Sequence, residues 1–283
     1  MTLLVLVRVV VAVALLVIVP LGLRLIGGAG VARVRRLWWP PAALTAAAMW
    51  VPRGELAVLA CLPYVVLTLA LVAVALRRIA RVLERPLLPL PAGWPVDVAV
   101  ATALATPSIG ALALVAERAG YGLFGFKLDV LALTVAHFHV AGFAASLVAG
   151  LVARATSHRV GRVAAALCVP AGTLVVLAGF FVGDEVQLAG AAVLTAGLWT
   201  AGWLTFRELR PHADDRTTRG LLAVSSVVLA ATMALALSWA FGEATGIPHP
   251  SLTWMAATHG VGNALGFALC AVLAWRRLAV DPL

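Results

Sequence analysis

Three histidines stand where histidine is costly to place: His137 and His139 in LTVAHFHVAGF, and His259 in ATHGVGNALGF, all inside long apolar runs. An imidazole titrates at a pKa of roughly 6.5, so it can take or release a proton near neutral pH, and its ring nitrogens can ligate metals. Asn263, one helical turn beyond His259, adds an amide, and Glu117 adds a carboxylate at the end of another apolar run. Together these five residues are candidates to bind a small solute or to move a proton. The competing reading is structural. Each ring could be hydrogen-bonded to backbone or hydroxyl groups, with Thr134, three residues before His137, as the natural partner for that ring. His158, His212 and His249 fall between apolar runs and read as solvated.

Other chemistries lack their residues. No glycine-rich phosphate loop, no GxSxG and no HExxH occurs, so an enzymatic role is not expected. Cys61, Cys168 and Cys270 all lie within apolar runs and form no CxxC pair, so they read as small buried apolar residues, and no cofactor is called for.

The elements that must position these side chains are membrane helices. Hydrophobic residues make up 63% of the 283 and charged ones only 12%, against roughly 25% charged in soluble domains. A mean hydropathy of +1.04 leaves too little polar surface to face water. The net charge of +9 does not mark a nucleic-acid binder, because the basic residues sit in short clusters between apolar runs, as membrane topology requires. The expected partner is the lipid bilayer. A chain so rich in Ala, Val, Leu, Gly and Arg also suggests a bacterial plasma-membrane protein.

A hydrocarbon core of about 30 Å needs roughly 20 apolar residues in a helix. Nine runs qualify, at about 3–23, 38–52, 55–76, 96–116, 128–153, 161–182, 186–206, 218–240 and 251–275. The first reads as an anchor and not as a cleaved leader, because no small-x-small site follows it. The second is short and opens on Pro40 and Pro41, so a tilted or partial span and a total of eight are the alternative. Loop charges favour nine. Arg24, Arg33, Arg35 and Arg36, then Arg77, Arg78, Arg81 and Arg85, then Arg154, Arg159 and Arg162, then Arg207, Arg210, Arg216 and Arg219, and finally Arg276 and Arg277 share one side; Arg53, Arg118 and Lys127 take the other. The expectation is an all-α, polytopic transmembrane bundle of about nine helices, a single domain over 1–283, with the N-terminus outside and the C-terminus in the cytoplasm.

Depth then becomes informative. His137 lies eight residues past Asp129 and His259 eight past Ser251, about 12 Å into helices that run the same way. The histidines share one level, in the outer half of the membrane. From His139 the offsets of three, seven and eleven are Gly142, Ser146 and Gly150; from His259 they are Gly262, Gly266 and Cys270. Stripes of small residues let membrane helices approach closely. They predict that the fifth and ninth runs are interior, with His139 and His259 facing a shared space and His137 turned to another neighbour. Glu117 closes the fourth run and Asp129 opens the fifth, so both could hang over that level, with Glu117 as a proton or cation partner. Arg8, inside the first run, is expected to snorkel outward or to pair with such an acid. Pro20, Pro63, Pro107 and Pro170 are expected to kink their helices.

At VAHFHVAGF and THGVGNALGF the chain resembles the YndJ-like family of bacterial membrane proteins, through His137, Phe138, His139, Gly142, Phe143, His259, Gly260, Asn263, Gly266 and Phe267. The resemblance covers most of the chain, with VPLGLRL near its start as a weaker echo. It implies a multi-helix protein of the transporter-like kind, without the soluble portion of longer members. A second, local resemblance links VAHFHV to the helix of haem-copper oxidase subunit I whose two histidines bind two haems from opposite faces. A full oxidase is excluded for want of further intramembrane histidines. A transporter or permease is therefore the leading expectation, with a haem- or metal-binding membrane protein and a non-transporting assembly or stress factor as alternatives.

Overall fold

The computed structural model describes residues 3–84, 93–278 and 281–283. Ten helices and short turns account for the described residues, with no strand among them. Eight are long and apolar enough to cross a membrane unaided: α1 (Leu3–Leu25), α4 (Glu55–Leu83), α5 (Trp94–Ala119), α6 (Leu128–Ala155), α7 (Arg159–Val182), α8 (Asp184–His212), α9 (Arg216–Thr245) and α10 (Leu252–Arg277). Between α1 and α4 stand two short helices, α2 (Ala29–Leu37) and α3 (Trp39–Ala48).

The second expected span is thus built differently from the rest. Helix α3 has ten residues, about 15 Å, which is half a bilayer. Trp38 keeps helical angles (φ −66°, ψ −45°), so α2 and α3 stack nearly end to end. Pro40 and Pro41 lack the N–H groups that would continue the ladder, and this breaks the helix there. The stack crosses the bundle: Gly30 meets Val74 near the arginine-rich end of α4, while the carbonyls of Met49 and Val51 meet Arg118 at the opposite end of α5. Counting this stack with the eight long helices, the described residues pass along the bundle nine times, and Leu4, beside Glu117, lies at the opposite end from Leu283, beside Leu25. Arg33, Arg35 and Arg36, expected in a loop, belong to α2, which buries Val31 and Val34 and exposes Arg33 and Arg36. Arg85 and most of the Pro-rich loop after α4 lie outside the described residues.

Proline also shapes α1. A π-helical turn over Ala14–Ile18 pairs the Val19 N–H with Ala14 O. In that register Leu15 O would look to Pro20, which has no N–H to give. The indole Nε1 of Trp38 donates to Leu15 O instead, at 2.9 Å and fully buried. A proline in one traverse thereby recruits a tryptophan from the next.

Helix α6 is the centre of the bundle, 83% buried over its apolar window. It packs on α5 in a regular antiparallel register: His139 against Gly110, Gly142 against Thr106, and Gly150 against Ala99 and Val100. Helix α10 packs on α9 in the same manner, with Gly262 against Thr232 and Gly266 against Val228. Helix α1 lies against both α6 and α10, its Gly22 receiving the ring of Phe143.

The α5–α6 and α9–α10 hairpins echo one another. The shift that brings Leu128, the first residue of α6, onto Leu252, the first of α10, also brings the π-helical segment Phe138–Ala145 onto Gly262–Leu269. Gly142, Phe143 and Ala144 then fall on Gly266, Phe267 and Ala268. In both hairpins a left-handed glycine, Gly120 (φ 69°) or Gly246 (φ 72°), ends the first helix. The two π segments touch, so the echo is also a junction.

Candidate functional site

The three histidines do not converge. His139 is completely buried, wedged against Gly110 of α5, and bonded through both ring nitrogens. Its Nδ1 lies 2.7 Å from Val135 O, which can only accept, so Nδ1 carries the proton. Its Nε2 then accepts from the Tyr64 hydroxyl, also at 2.7 Å. Trp38 meets the same Tyr64 edge-on at 5.2 Å between ring centres, which closes the neighbourhood with aromatic surface. His139 is therefore a packed, neutral, satisfied core residue. The expected shared space between His139 and His259 is not formed.

His137 takes that place. Its ring stacks on that of His259 at 6.4 Å between centroids and 24° between planes. His259 is held by α9: its Nδ1 donates to Thr232 O at 2.8 Å, and Asn263 Nδ2 donates to its Nε2 at 3.1 Å. The Thr232 hydroxyl in turn donates to Asn263 Oδ1 at 2.8 Å. His259, Asn263 and Thr232 form a closed network. His137 is the exception. Its ring is exposed, and among the described residues it has the stacking contact and no hydrogen bond. Thr134, the expected partner, bonds back to Val130 O at 2.8 Å instead.

The helical wheel put His139 on its small-residue face, as found; what it could not supply was the helix that this face meets. Both motifs are π-helical, over Phe138–Ala145 in α6, and over Ala256–Gly260 and Gly262–Leu269 in α10. A π turn inserts an extra residue per turn, which rotates everything beyond it. The small-residue stripes survive, but they seat α6 on α5 and α10 on α9. Of their members, Gly142 and Gly150 line the α5 contact, Gly262 and Gly266 the α9 contact, and Ser146 is buried with its hydroxyl unpartnered. Helices α6 and α10 do meet, through the π segments and the His137–His259 stack.

Glu117 lies away from the histidines in a cluster of arginines. It is 2% exposed and receives Arg118 in bidentate fashion, at 2.5 and 2.7 Å, and Arg53 at 2.7 Å. That carboxylate is a counter-ion and is not free to carry a proton or cation for the histidines, contrary to expectation. The Arg8 guanidinium sits 5.6 Å over the Trp50 ring and lines a small cavity together with Glu117 and Arg118. The cavity lined by Arg8, Glu117 and Arg118 has about 10 Å³ of space, room for roughly one water molecule.

Sequence reasoning passed over several positioning residues. Tyr64, Thr106, Gly110 and Thr232 sit in ordinary apolar runs with no motif of their own, and only their neighbours reveal them. His158, expected to be merely solvated, caps α7 by accepting from Gly161 N at 3.0 Å. The α7–α8 contact is a glycine seam: Gly172 faces Leu194, Gly179 faces Gln187, Gly190 faces Val176 and Gly197 faces Val169. Its repeat was visible as pairs of glycines seven apart in each helix.

Haem ligation by the HFH pair does not fit this geometry. His139 has both nitrogens engaged and no exposed surface, and no group of three or more His, Cys, Asp or Glu able to hold a metal occurs among the described residues.

Fold and site together define a polytopic helical membrane protein with a histidine-bearing polar junction between two similar helical hairpins. The chain belongs to the YndJ-like family, whose model matches residues 9–267 and so includes His137, His139, His259, Asn263 and Glu117. No curated protein and no solved structure matches the chain.

Proposed function

We propose that this protein is a permease-like membrane protein that handles a small solute together with a proton at the α6–α10 junction. The observation that carries the reading is His137: an imidazole at membrane depth, without a hydrogen-bond partner among the described residues, stacked on a second imidazole that is fully held. A ring with open nitrogens is free to meet a solute or a proton, whereas His259, Asn263 and Thr232 supply a rigid wall. Membrane transporters commonly place their sites where two related helix groups meet and where helices depart from regular winding, and both conditions hold here. In the expected N-out orientation, the pair lies in the outer half of the bilayer.

The test is transport in proteoliposomes carrying an entrapped pH dye. Panels of small carboxylates, amines and sugars are applied across the imidazole range, about pH 5.5 to 7.5. The expected result is a solute-dependent pH change in the wild type that His137→Ala abolishes. No solute-dependent change in the wild type, or an unaltered one in His137→Ala, overturns the proposal.

A further inference from the structure

The arginine cluster at the Glu117 end of the bundle is unbalanced. One carboxylate faces three guanidinium groups, those of Arg8, Arg53 and Arg118, all within electrostatic reach of one another. The donors can be followed one by one. Arg118 spends Nε and NH2 on Glu117, and NH1 on the carbonyls of Met49 and Val51. Arg53 spends Nε and NH2 on Glu117 Oε1. Oε1 thus already accepts three hydrogen bonds and Oε2 a short one, which leaves the carboxylate little capacity for Arg8.

Arg8 has no acceptor among the described residues, and its Nε is shut away from solvent without a partner. Its guanidinium lies over the half-exposed Trp50 ring, beside the water-sized cavity that Glu117 and Arg118 also line. Arg53, 42% exposed, keeps its NH1 unengaged at the rim. Arg8, lining that cavity, and Arg53, on the exposed side of Glu117, thus both keep donors unspent among the described residues. An uncompensated buried cation is costly, and a planar guanidinium pairs best with a planar or tetrahedral oxyanion that takes two parallel hydrogen bonds.

We infer that Arg8 and Arg53, on the scaffold of the Glu117–Arg118 pair and beside Trp50, form a binding site for a phosphate-type oxyanion. The cavity itself is too small for the anion, which the spare donors of Arg8 and Arg53 would take up outside it. The phosphate can come from a lipid headgroup or from a free anion. The site shares no residue with the His137–His259 junction, so its fate does not depend on the transport reading.

The experiment uses the full chain. In detergent, the thermal unfolding midpoint is followed against inorganic phosphate, with chloride at equal ionic strength as the control. In parallel, the protein is reconstituted in phosphatidylcholine vesicles with or without phosphatidylglycerol, then extracted and examined by native mass spectrometry for retained lipid. A saturable rise with phosphate identifies a free-anion site; retained phosphatidylglycerol identifies a headgroup site. Arg8→Gln should weaken either by about tenfold or more, while Arg8→Lys should keep part of it. The inference is overturned if neither phosphate nor phosphatidylglycerol acts beyond its control, or if Arg8→Gln binds like the wild type. The wild-type comparison decides the matter even where a variant fails to fold.

Discussion

Tyr64 donates its hydroxyl proton to Nε2 of His139 across the α4–α6 contact at 2.7 Å, inside a wholly buried neighbourhood. Tyr64→Phe keeps the ring and removes the donor, so a buried acceptor is left bare. The expected cost is about 1–3 kcal/mol, read as a lower unfolding midpoint in detergent. A midpoint equal to wild type would mean that the bond is not made in the membrane protein. His139→Ala should cost more, since it also opens a void against Gly110.

The two stacked histidines should separate in their effects. His259→Ala strands Asn263 Nδ2 and the Thr232 carbonyl, at an expected cost of about 1–3 kcal/mol. His137→Ala removes no hydrogen bond among the described residues, and stability should change by only about 0.5 kcal/mol or less. Melting curves of the two variants side by side check this. Equal losses would show that His137 is structural after all.

Glu117→Gln should be among the most damaging single changes. It leaves the 1%-exposed Arg118 guanidinium without its counter-ion, and breaking a buried pair in this way costs about 3–5 kcal/mol. Arg53→Ala, at the exposed rim, should cost far less. Denaturant or thermal titration of both variants gives the order, and the reverse order would refute the accounting.

Glycine positions should behave in opposite ways. A Cβ at Gly172 would sit 2.4 Å from Leu194 N, backbone that cannot step aside, so Gly172→Ala should force α7 and α8 apart. A Cβ at Gly220, within α9, meets nothing within 4 Å, and Gly220→Ala should stabilise by about 0.5–1 kcal/mol through helix entropy. Unfolding midpoints that move the same way in both would contradict the packing.

Asp215, just before α9, supplies the pH test. The Thr218 hydroxyl, at 2.6 Å, and the Thr218 backbone N–H, at 2.9 Å, both donate to its carboxylate and hold its pKa down at about 2. The folded value lies below the ordinary carboxylate value of about 3.9. The cap therefore stabilises fully above that value, and its contribution is lost as the pH falls toward 2. Stability measured from neutral pH down through this window should decline in the wild type by an increment that Asp215→Asn lacks, since the amide can still accept from Thr218 but does not titrate.

Much of the architecture was legible because the bilayer imposes a coarse rule. A run such as 128–153 must be a helix, and clusters such as Arg77, Arg78 and Arg81 must end one. The stripe of Gly142 and Gly150 could likewise be read as a contact face. The partner of that face could not. Any helix in the bundle could have accepted it, and only packing chose α5. The second traverse was counted from the loop charges, but its first half, Ala29–Leu37, was read as loop because a basic half-length helix carries no apolar run.

The residue types and their depth were determined by the sequence alone: three intramembrane histidines at a common level, a helical bundle around them and small residues beneath two of them. Which histidine stays open was decided by the tertiary structure. Tyr64 and Val135 close His139, and Thr232 and Asn263 close His259. Tyr64 and Thr232 come from other helices, which the period of an apolar run does not encode. What remains is His137, stacked against His259 with its nitrogens unspent among the described residues.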